Sequence, residues 1–268
     1  MRLFATSRNI GIDLGTSNTL LYMKGKGILL REPSVIAINT KSRKVLAVGS
    51  EAKRMIGRTS GDIEAIRPLK DGVIADFDAN QQMLKKFLEK AAGRSSLANS
   101  NIVICHPSGI TEVEKKAINE AATQGGGKKV MLIEEPIAAA LGAGLPVDEA
   151  IGSMIIDIGG GTTEIAAISL GGIVTSNTLR VGGNQLDDAL INFIKREFNL
   201  MIGEITAENI KIELGSACAD ENLEKRDMQV TGRDLMTGLP KVITVTSDEI
   251  REALKDSVSQ VINAIRAT

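Results

Sequence analysis

The sequence predicts an α/β protein built from two related halves, and a repeated glycine-containing hairpin is the main observation behind this prediction. In the first copy, the apolar residues 10–12 are followed by Asp13, a turn and a second apolar strand. In the second copy, residues 154–156 are followed by Asp157 and the same succession. Self-similarity at long range indicates a duplication. The length of 268 residues, above that of an ordinary single domain, also favours two lobes.

The turn of the second copy contains three consecutive glycines, residues 159–161. Because glycine lacks a Cβ and readily adopts positive φ, several backbone N–H groups can converge there on an anion. Asp157 would repel a bare phosphate, but Mg²⁺ between the two would remove that conflict. Two facing hairpins, carrying Asp13 and Asp157, would clamp a polyphosphate around a shared metal ion. The alternative is two unrelated antiparallel meanders, and the recurring aspartate favours the clamp.

Composition excludes several other classes of protein. The net charge of −1 and the aromatic content of 2% argue against a nucleic-acid partner. The single histidine, His106, excludes a multi-histidine zinc site. Two cysteines, Cys105 and Cys218, cannot form a disulfide framework and indicate a reducing compartment. No apolar run approaches the ~20 residues that span a bilayer, so we expect a cytoplasmic protein.

The elements between and after the hairpins are predicted from periodicity, turn residues and capping pairs. Thr111 and Glu114 form a capping box that begins a helix ending at Gly125. Glu135 begins a short alanine-rich helix with proline in its first turn. The other predicted strands are residues 35–39, 45–49, 102–106, 130–133, 228–232 and 242–245, and the other predicted helices are residues 78–92, one after Gly183, one from residue 206 and one from the capping box Thr246–Glu249.

These motifs resemble the two phosphate-binding hairpins of the actin, sugar kinase and chaperone ATPase superfamily. The segments at residues 32–35, 66–77 and 133–140 are similar to those of the MreB family of bacterial actin-like cell-shape proteins, and the similarity runs from Asn9 to the last residue. The resemblance implies an actin-like ATPase fold: two RNase H-like lobes, each with a small insert, and a nucleotide cleft between them. The implied first lobe is residues 1–32 and 77–145 with insert 33–76, and the second is residues 146–181 and 245–268 with insert 182–244.

The resemblance also implies roles for the matching residues. Asp13 and Asp157 would hold Mg²⁺, mainly through its waters, at the phosphates of ATP. Glu135 and Thr162 would orient the attacking water; the plainer interpretation of Glu135 is a helix N-terminal acid. The implied nucleotide-binding residues are Gly15, Thr16, Ser17, Asn18, Gly159, Gly160, Gly161, Thr162, Gly183, Glu208, Asn209, Ile210 and Lys211.

Two interpretations of Glu208 and Lys211 remain open from the sequence. Their placement is similar to the helical pair that brackets the base and ribose in actin-like and chaperone ATPases. They could equally form an i,i+3 surface ion pair, which is worth ~0.3 kcal/mol.

Relatives continue with a further glycine-rich segment beside the adenosine, so we expect this chain to be a fragment that lacks it.

The function implied by the resemblance is ATP-dependent assembly into head-to-tail filaments with slow ATP hydrolysis, which organises wall synthesis in rod-shaped bacteria. The implied location is the cytoplasmic face of the membrane, with Leu3, Phe4 and Leu97 as candidate lipid contacts. The implied partners are further copies of the chain, the membrane, and wall-elongation proteins such as MreC and RodZ. The alternatives are a small-molecule kinase, for which the sequence shows no cluster of substrate-binding groups, and a chaperone-type ATPase.

Overall fold

The computed structural model describes residues 8–59, 61–70, 72–92, 100–219 and 226–268. The chain forms two compact units. Unit 1 consists of Met1–Gly160 and Glu164–Thr178, and unit 2 consists of Gly161–Thr163 and Leu179–Thr268. The finer division into lobe cores and inserts stays a prediction.

Unit 1 alternates strands with a few helices. In chain order its elements are β1 (Arg8–Leu14), β2 (Asn18–Met23), β3 (Gly27–Pro33), β4 (Ile36–Asn39), β5 (Val45–Val48), α1 (Ser50–Lys53), β6 (Ile63–Ile66), β7 (Leu69–Lys70), β8 (Val73–Ile74), α2 (Phe77–Ala92), β9 (Ser100–His106), α3 (Glu112–Gln124), β10 (Gly127–Glu134), α4 (Glu135–Gly142), β11 (Ser153–Ile158), β12 (Thr163–Ser169) and β13 (Gly172–Leu179).

The main sheet of unit 1 has the order β10-β9-β1-β2-β3. Strand β1 is parallel to β9, with Ile12 opposite Ile104, and β9 is parallel to β10, with Ile104 opposite Leu132. The carboxyl ends of parallel strands meet at one edge of a sheet, which is where α/β proteins place ligands. This register therefore brings the residues that follow Ile12, Ile104 and Leu132 to the same edge.

Two helices cover the main sheet. The buried stripe of α2 consists of Met83, Leu84, Phe87 and Leu88, each 0% exposed, and it belongs to the same core as Ile118 of α3. A second sheet, β5-β4-β6, has a small core of its own around Val35, Ala37, Ala47 and Ala52. Burial of these apolar faces is the main stabilising term for such a layered unit.

Unit 2 is a helical layer packed on a three-stranded sheet. Its elements are α5 (Gly183–Phe198), β14 (Leu200–Met201), α6 (Glu204–Leu214), β15 (Asp227–Asp234), β16 (Pro240–Thr246) and α7 (Ser247–Ala267), with sheet order β14-β15-β16. The core lies between Leu190 and Ile194 of α5, Ile210 of α6 and Ile250 of α7.

Most predicted elements are present in the structure. Both capping boxes, at Thr111–Glu114 and Thr246–Glu249, have their reciprocal hydrogen bonds. The helix predicted from residue 206 begins two residues earlier, at Glu204, because Gly203 is the N-cap. The short elements α1, β6, β7, β8 and β14 were not predicted; β7, β8 and β14 have two residues each, which is too few to show a periodicity.

The two related strands differ in how they are covered. Aligned on the two aspartates, Ile10, Ile12 and Leu14 of β1 are 2%, 1% and 8% exposed, whereas Met154, Ile156 and Ile158 of β11 are 46%, 40% and 57% exposed. In the part of the chain that the structure describes, β11 is one of the two edge strands of the sheet β11-β12-β13.

The described helices include none that is long and apolar enough to cross a membrane.

Asp76 lies directly before α2 and caps the N-terminus of this helix, and substitutions can test this role. Its Oδ1 accepts a hydrogen bond from Ala79 N at 2.9 Å, and its Oδ2 pairs with Arg43 at 2.7 Å. Burial raises the pKa of Asp76, but these hydrogen bonds outweigh it and hold the pKa below its usual value. Asp76→Ala should lower the free energy of unfolding by about 1 kcal/mol, and Asp76→Asn by less because the amide oxygen still caps the helix.

Urea unfolding as a function of pH measures this effect. Since the folded pKa is lowered, the contribution of Asp76 is present above the unfolded pKa and is lost as the pH falls through the folded pKa. The difference between wild type and Asp76→Ala should therefore shrink in acid. A difference that is constant down to pH 2 would contradict the assignment.

Candidate phosphate-binding site

The first hairpin turn, between β1 and β2, is braced by buried hydroxyl groups. Ser34 Oγ donates to the Gly15 carbonyl at 2.6 Å and lies 2.9 Å from Thr19 Oγ1. Thr16 Oγ1 accepts a hydrogen bond from Gly72 N at 3.1 Å, so its own proton can still be donated to a ligand. Ser34 and Thr19 were not predicted as site residues, because serine and threonine near a turn carry no sequence signal specific to this role.

Glycine is required in these turns for close approach rather than for positive φ. A Cβ on Gly15 would lie 2.7 Å from the Asn18 carbonyl oxygen, and one on Gly160 would lie 1.8 Å from Ser17 Oγ. The described glycines with positive φ lie elsewhere in the chain, so residues 159–161 do not use the left-handed conformation that three consecutive glycines allow. The contact of Gly160 with Ser17 also shows that the two hairpin turns meet within unit 1.

Three carboxylates converge beside these turns; we call Asp13, Glu135 and Asp157 the acidic recess. Asp13 is solvent-accessible, and the other two are half-buried. Burial by surrounding protein and then the charge of Asp157 raise the pKa of Asp13, and burial raises the pKa of Asp157. The Asp13 side chain is thus accessible to solvent and still has protein atoms, including the charged carboxylate of Asp157, close around it. The sequence prediction that the two aspartates lie close together agrees with this coupling.

Glu135 is the most strongly perturbed acid of the recess. It is the first residue of α4 and follows Glu134, which lies opposite His106 in the β9–β10 pair. Burial, followed by the charges of Asp13, Asp157 and Glu164, raises its pKa to about 8. With a pKa of about 8 the carboxyl group is largely protonated at neutral pH. A cation bound nearby would favour the ionised form, which is the form that accepts a proton from water.

The acidic recess has an excess of negative charge that a bound cation would balance. The pKa of the neighbouring Cys105 thiol is also raised, to about 12, by burial and then by the three carboxylates of the acidic recess. Among the described residues, no group of three or more His, Cys, Asp or Glu side chains could hold a metal ion directly. Mg²⁺ binds with one or two carboxylates plus waters and phosphate oxygens, so the acidic recess fits it in that form.

The remaining predicted site residues lie in unit 2 or at its boundary. Gly161 and Thr162 belong to unit 2, and Thr162 is buried. Gly183 is the first residue of α5, and α6 contains the last four predicted positions. Those four are Glu208, Asn209, Ile210 and Lys211, of which Ile210 is fully buried in the core of unit 2.

Lys211 connects α6 to the start of α5. Its Nζ donates to the Gly183 carbonyl at 2.9 Å and lies 2.8 Å from Asp187 Oδ1. Both side chains of this ion pair are largely buried, at 21% and 13% exposure. From the sequence, Glu208 was the predicted ion-pair partner of Lys211; Asp187 is 24 positions away, and no spacing rule connects it to Lys211. Lys211 therefore fixes the glycine segment at residues 182–183 in place.

Comparison with known proteins identifies the class. The fold matches a crystal structure of MreB5 of Spiroplasma citri bound to ADP, with a TM-score of 0.91, 41% identity, and coverage of 98% of this chain and 78% of that one. A second structure, of MreB 5 of the same organism bound to AMPPNP, matches with a TM-score of 0.90 and 41% identity over 98% of this chain and 80% of that one. The chain has an actin-like fold.

Sequence relatives give the particular family. The family model for the MreB/Mbl protein matches residues 7–268. The chain is 52% identical over 260 residues to the cell shape-determining protein Mbl of Bacillus subtilis (strain 168), which covers 97% of this chain and 78% of the relative. The chain belongs to the MreB/Mbl family. The resemblance predicted from the hairpins and the neighbouring motifs is thus confirmed.

The candidate lipid contacts cannot be placed. Leu3, Phe4 and Leu97 lie outside the described residues. Their role stays a prediction.

The raised pKa of Glu135 predicts a pH-dependent stability. A group whose folded pKa is raised contributes stability that is fully present below the unfolded pKa and is lost as the pH rises through the folded pKa. For Glu135 that window extends from 4.5 to about 8. Without nucleotide or Mg²⁺, the Tm of the wild type should fall across this window, and Glu135→Gln should flatten the fall. Differential scanning fluorimetry at a series of pH values tests this, with Glu134→Gln as the neighbouring control; equal slopes in all three proteins would contradict the assignment.

Proposed function

We propose that this protein is an ATP-dependent filament-forming protein that organises cell-wall synthesis and maintains rod cell shape, and that it hydrolyses ATP slowly. The observation that carries the nucleotide part is the acidic recess beside two touching glycine turns. A site with repelling carboxylates and nearby backbone N–H groups fits a phosphate chain with its divalent cation. The bound nucleotides of the MreB5 structures support adenine nucleotides as ligands.

The chemistry follows from positions within unit 1. Mg²⁺, when bound, neutralises charge on the β- and γ-phosphates. Asp13 and Asp157 would hold the hydration shell of the ion, and the turn at residues 15–18 would donate backbone hydrogen bonds to phosphate oxygens. Glu135 would orient the attacking water and accept its proton. Phosphoryl transfer needs little else from the protein beyond positioning and charge.

The residues of unit 2 have separate proposed roles. Thr162 would assist in orienting water, as the family resemblance implies. The α6 residues 208–211 and Gly183 would bind the base and ribose, and the ion pair of Lys211 with Asp187 supports this by fixing the glycine segment. A glycine beside a helix N-terminus lets a ligand approach the backbone closely.

Assembly and location are proposed from the family. A head-to-tail contact uses two different surfaces, does not close on itself, and so propagates a filament. We place the filaments at the cytoplasmic face of the membrane, where MreC and RodZ would be partners. Each copy would contribute a weak lipid contact, and many copies on one filament would bind by avidity.

Substitution of Glu135 tests the catalytic proposal. Glu135→Gln keeps the shape of the side chain but cannot accept a proton, so phosphate release should fall by about 10²-fold or more while ATP binding changes little. The matched control is Glu134→Gln, because Glu134 is the neighbouring N-cap residue and makes no side-chain capping bond. Phosphate release and nucleotide binding are measured separately. Unchanged turnover in Glu135→Gln would refute the role.

Removal of one strand-end acid tests the metal-phosphate site and its link to assembly. Asp157→Asn should weaken Mg-ATP binding about tenfold or more and raise the ATP concentration at which filaments form. The control is Asp148→Asn, since Asp148 is an exposed carboxylate. Light scattering and electron microscopy with Mg-ATP or EDTA provide the measurement. Wild-type protein that forms no filaments at any Mg²⁺ concentration would contradict the proposal.

A further inference from the structure

Glu164 is a buried carboxylate that the proposed reaction does not yet use. It is the second residue of β12 and is 2% exposed. Among the described residues it is the one carboxylate that is buried from solvent to this degree. A buried carboxylate is costly unless hydrogen bonds satisfy it, so a specific geometric role is expected of it.

The hydrogen bonds of Glu164 join two segments that are distant in sequence. Ser108 N, in the segment after β9, donates to Oε2 at 3.1 Å. Thr178 Oγ1, on β13, donates to Oε1 at 3.4 Å. The side chain therefore ties the sheet β11-β12-β13 to the carboxyl end of β9, and all three residues belong to unit 1.

Each of these segments leads directly to the acidic recess. On one side, Ser108 is two residues beyond His106, which lies opposite Glu134 in the β9–β10 pair, and Glu135 follows. On the other side, β12 is the neighbour of β11, and β11 contains Asp157. A short connection of backbone and side-chain bonds thus runs from Asp157 through Glu164 to Glu135.

We propose that Glu164 is a positioning residue that, through its hydrogen bonds to Ser108 and Thr178, fixes Glu135 relative to Asp157. The proposal rests on the nucleotide hydrolysis proposed above, because Glu135 is the group that is positioned. A displacement of a catalytic group by about 1 Å can cost 10²-fold in rate, so a rigid connection at this point has a large effect.

The charge of Glu164 is not what the proposed role requires. Its charge lies near other acids: burial, and less strongly Asp157, raise its own pKa, and it is among the charges that raise the pKa of Glu135. Hydrogen bonds from Ser108 and Thr178 offset part of this effect, and the pKa of Glu164 stays above its usual value. The positioning role therefore depends on a side chain long enough to bring an acceptor oxygen to the hydrogen-bond donors of Ser108 and Thr178.

Two substitutions separate the effect of side-chain length at residue 164 from the effect of its charge. Glu164→Gln keeps the length of the side chain and an acceptor oxygen for Ser108 N but removes the charge. Glu164→Asp keeps the charge but is one methylene shorter, so it cannot span the same bonds. We expect kcat for ATP within about threefold of wild type in Glu164→Gln and about tenfold lower or more in Glu164→Asp, with KM within about threefold in both. Loss of kcat in Glu164→Gln, or wild-type kcat in Glu164→Asp, would overturn the proposal.

A second measurement does not depend on turnover. Cys105 is the second-last residue of β9 and lies three residues before Ser108. Its thiol therefore reports on the packing at the end of this strand. In a Cys218→Ser background, which removes the exposed thiol, the rate of Cys105 alkylation by a maleimide at pH 8 is measured by mass spectrometry. Glu164→Asp should raise this rate about fivefold or more and Glu164→Gln should leave it unchanged. Equal rates in the two variants would overturn the proposal.

The outcomes distinguish failure of the proposed function from failure of the positioning role of Glu164. A wild-type chain that binds no Mg-ATP and releases no phosphate would refute the proposed function. The alkylation rates would still decide whether Glu164 holds the end of β9. A chain that hydrolyses ATP with identical kcat values in both variants would refute the positioning role and leave the proposed function standing.

Discussion

The burial of three neighbouring carboxylates without a counter-charge is the physical constraint on which the site in unit 1 depends. Asp13, Glu135 and Asp157 come from three different elements, and the pKa of each is raised by burial, with repulsion from other acids adding to the effect for Asp13 and Glu135. No basic side chain contributes to these shifts among the described residues. The fold must therefore hold three acids close together without internal counter-charges, which makes an external cation the natural stabiliser.

The groups that hold the three carboxylates in position are neutral. Parallel pairing of β1, β9 and β10 fixes the strand ends, and the hydroxyls of Ser34 and Thr19 hold the first turn. The second turn packs so closely on Ser17 that Gly160 leaves no room for a side chain. Because none of these groups is charged, the electrostatic preference for a cation is preserved.

Local patterns in the sequence predicted much of the structure. The repeated aspartate hairpin, the helix caps and the apolar stripes predicted the α/β elements, and the resemblance of the hairpins and the neighbouring motifs to known proteins gave the actin-like fold and the family. Glu164, Ser108 and Asp187 could not be found in this way, because their partners are 14 to 56 positions distant and lie in other elements. The role of glycine in the turns was misjudged because a close contact with Ser17 depends on tertiary structure and not on local conformation.

The uncovered strand β11 affects how experiments on this chain should be interpreted. An edge strand with three exposed apolar side chains is a template for irregular aggregation. Turbidity alone would therefore not distinguish amorphous aggregates from ordered filaments. Dependence on nucleotide separates the two, since adhesion through Met154, Ile156 and Ile158 requires neither ATP nor magnesium.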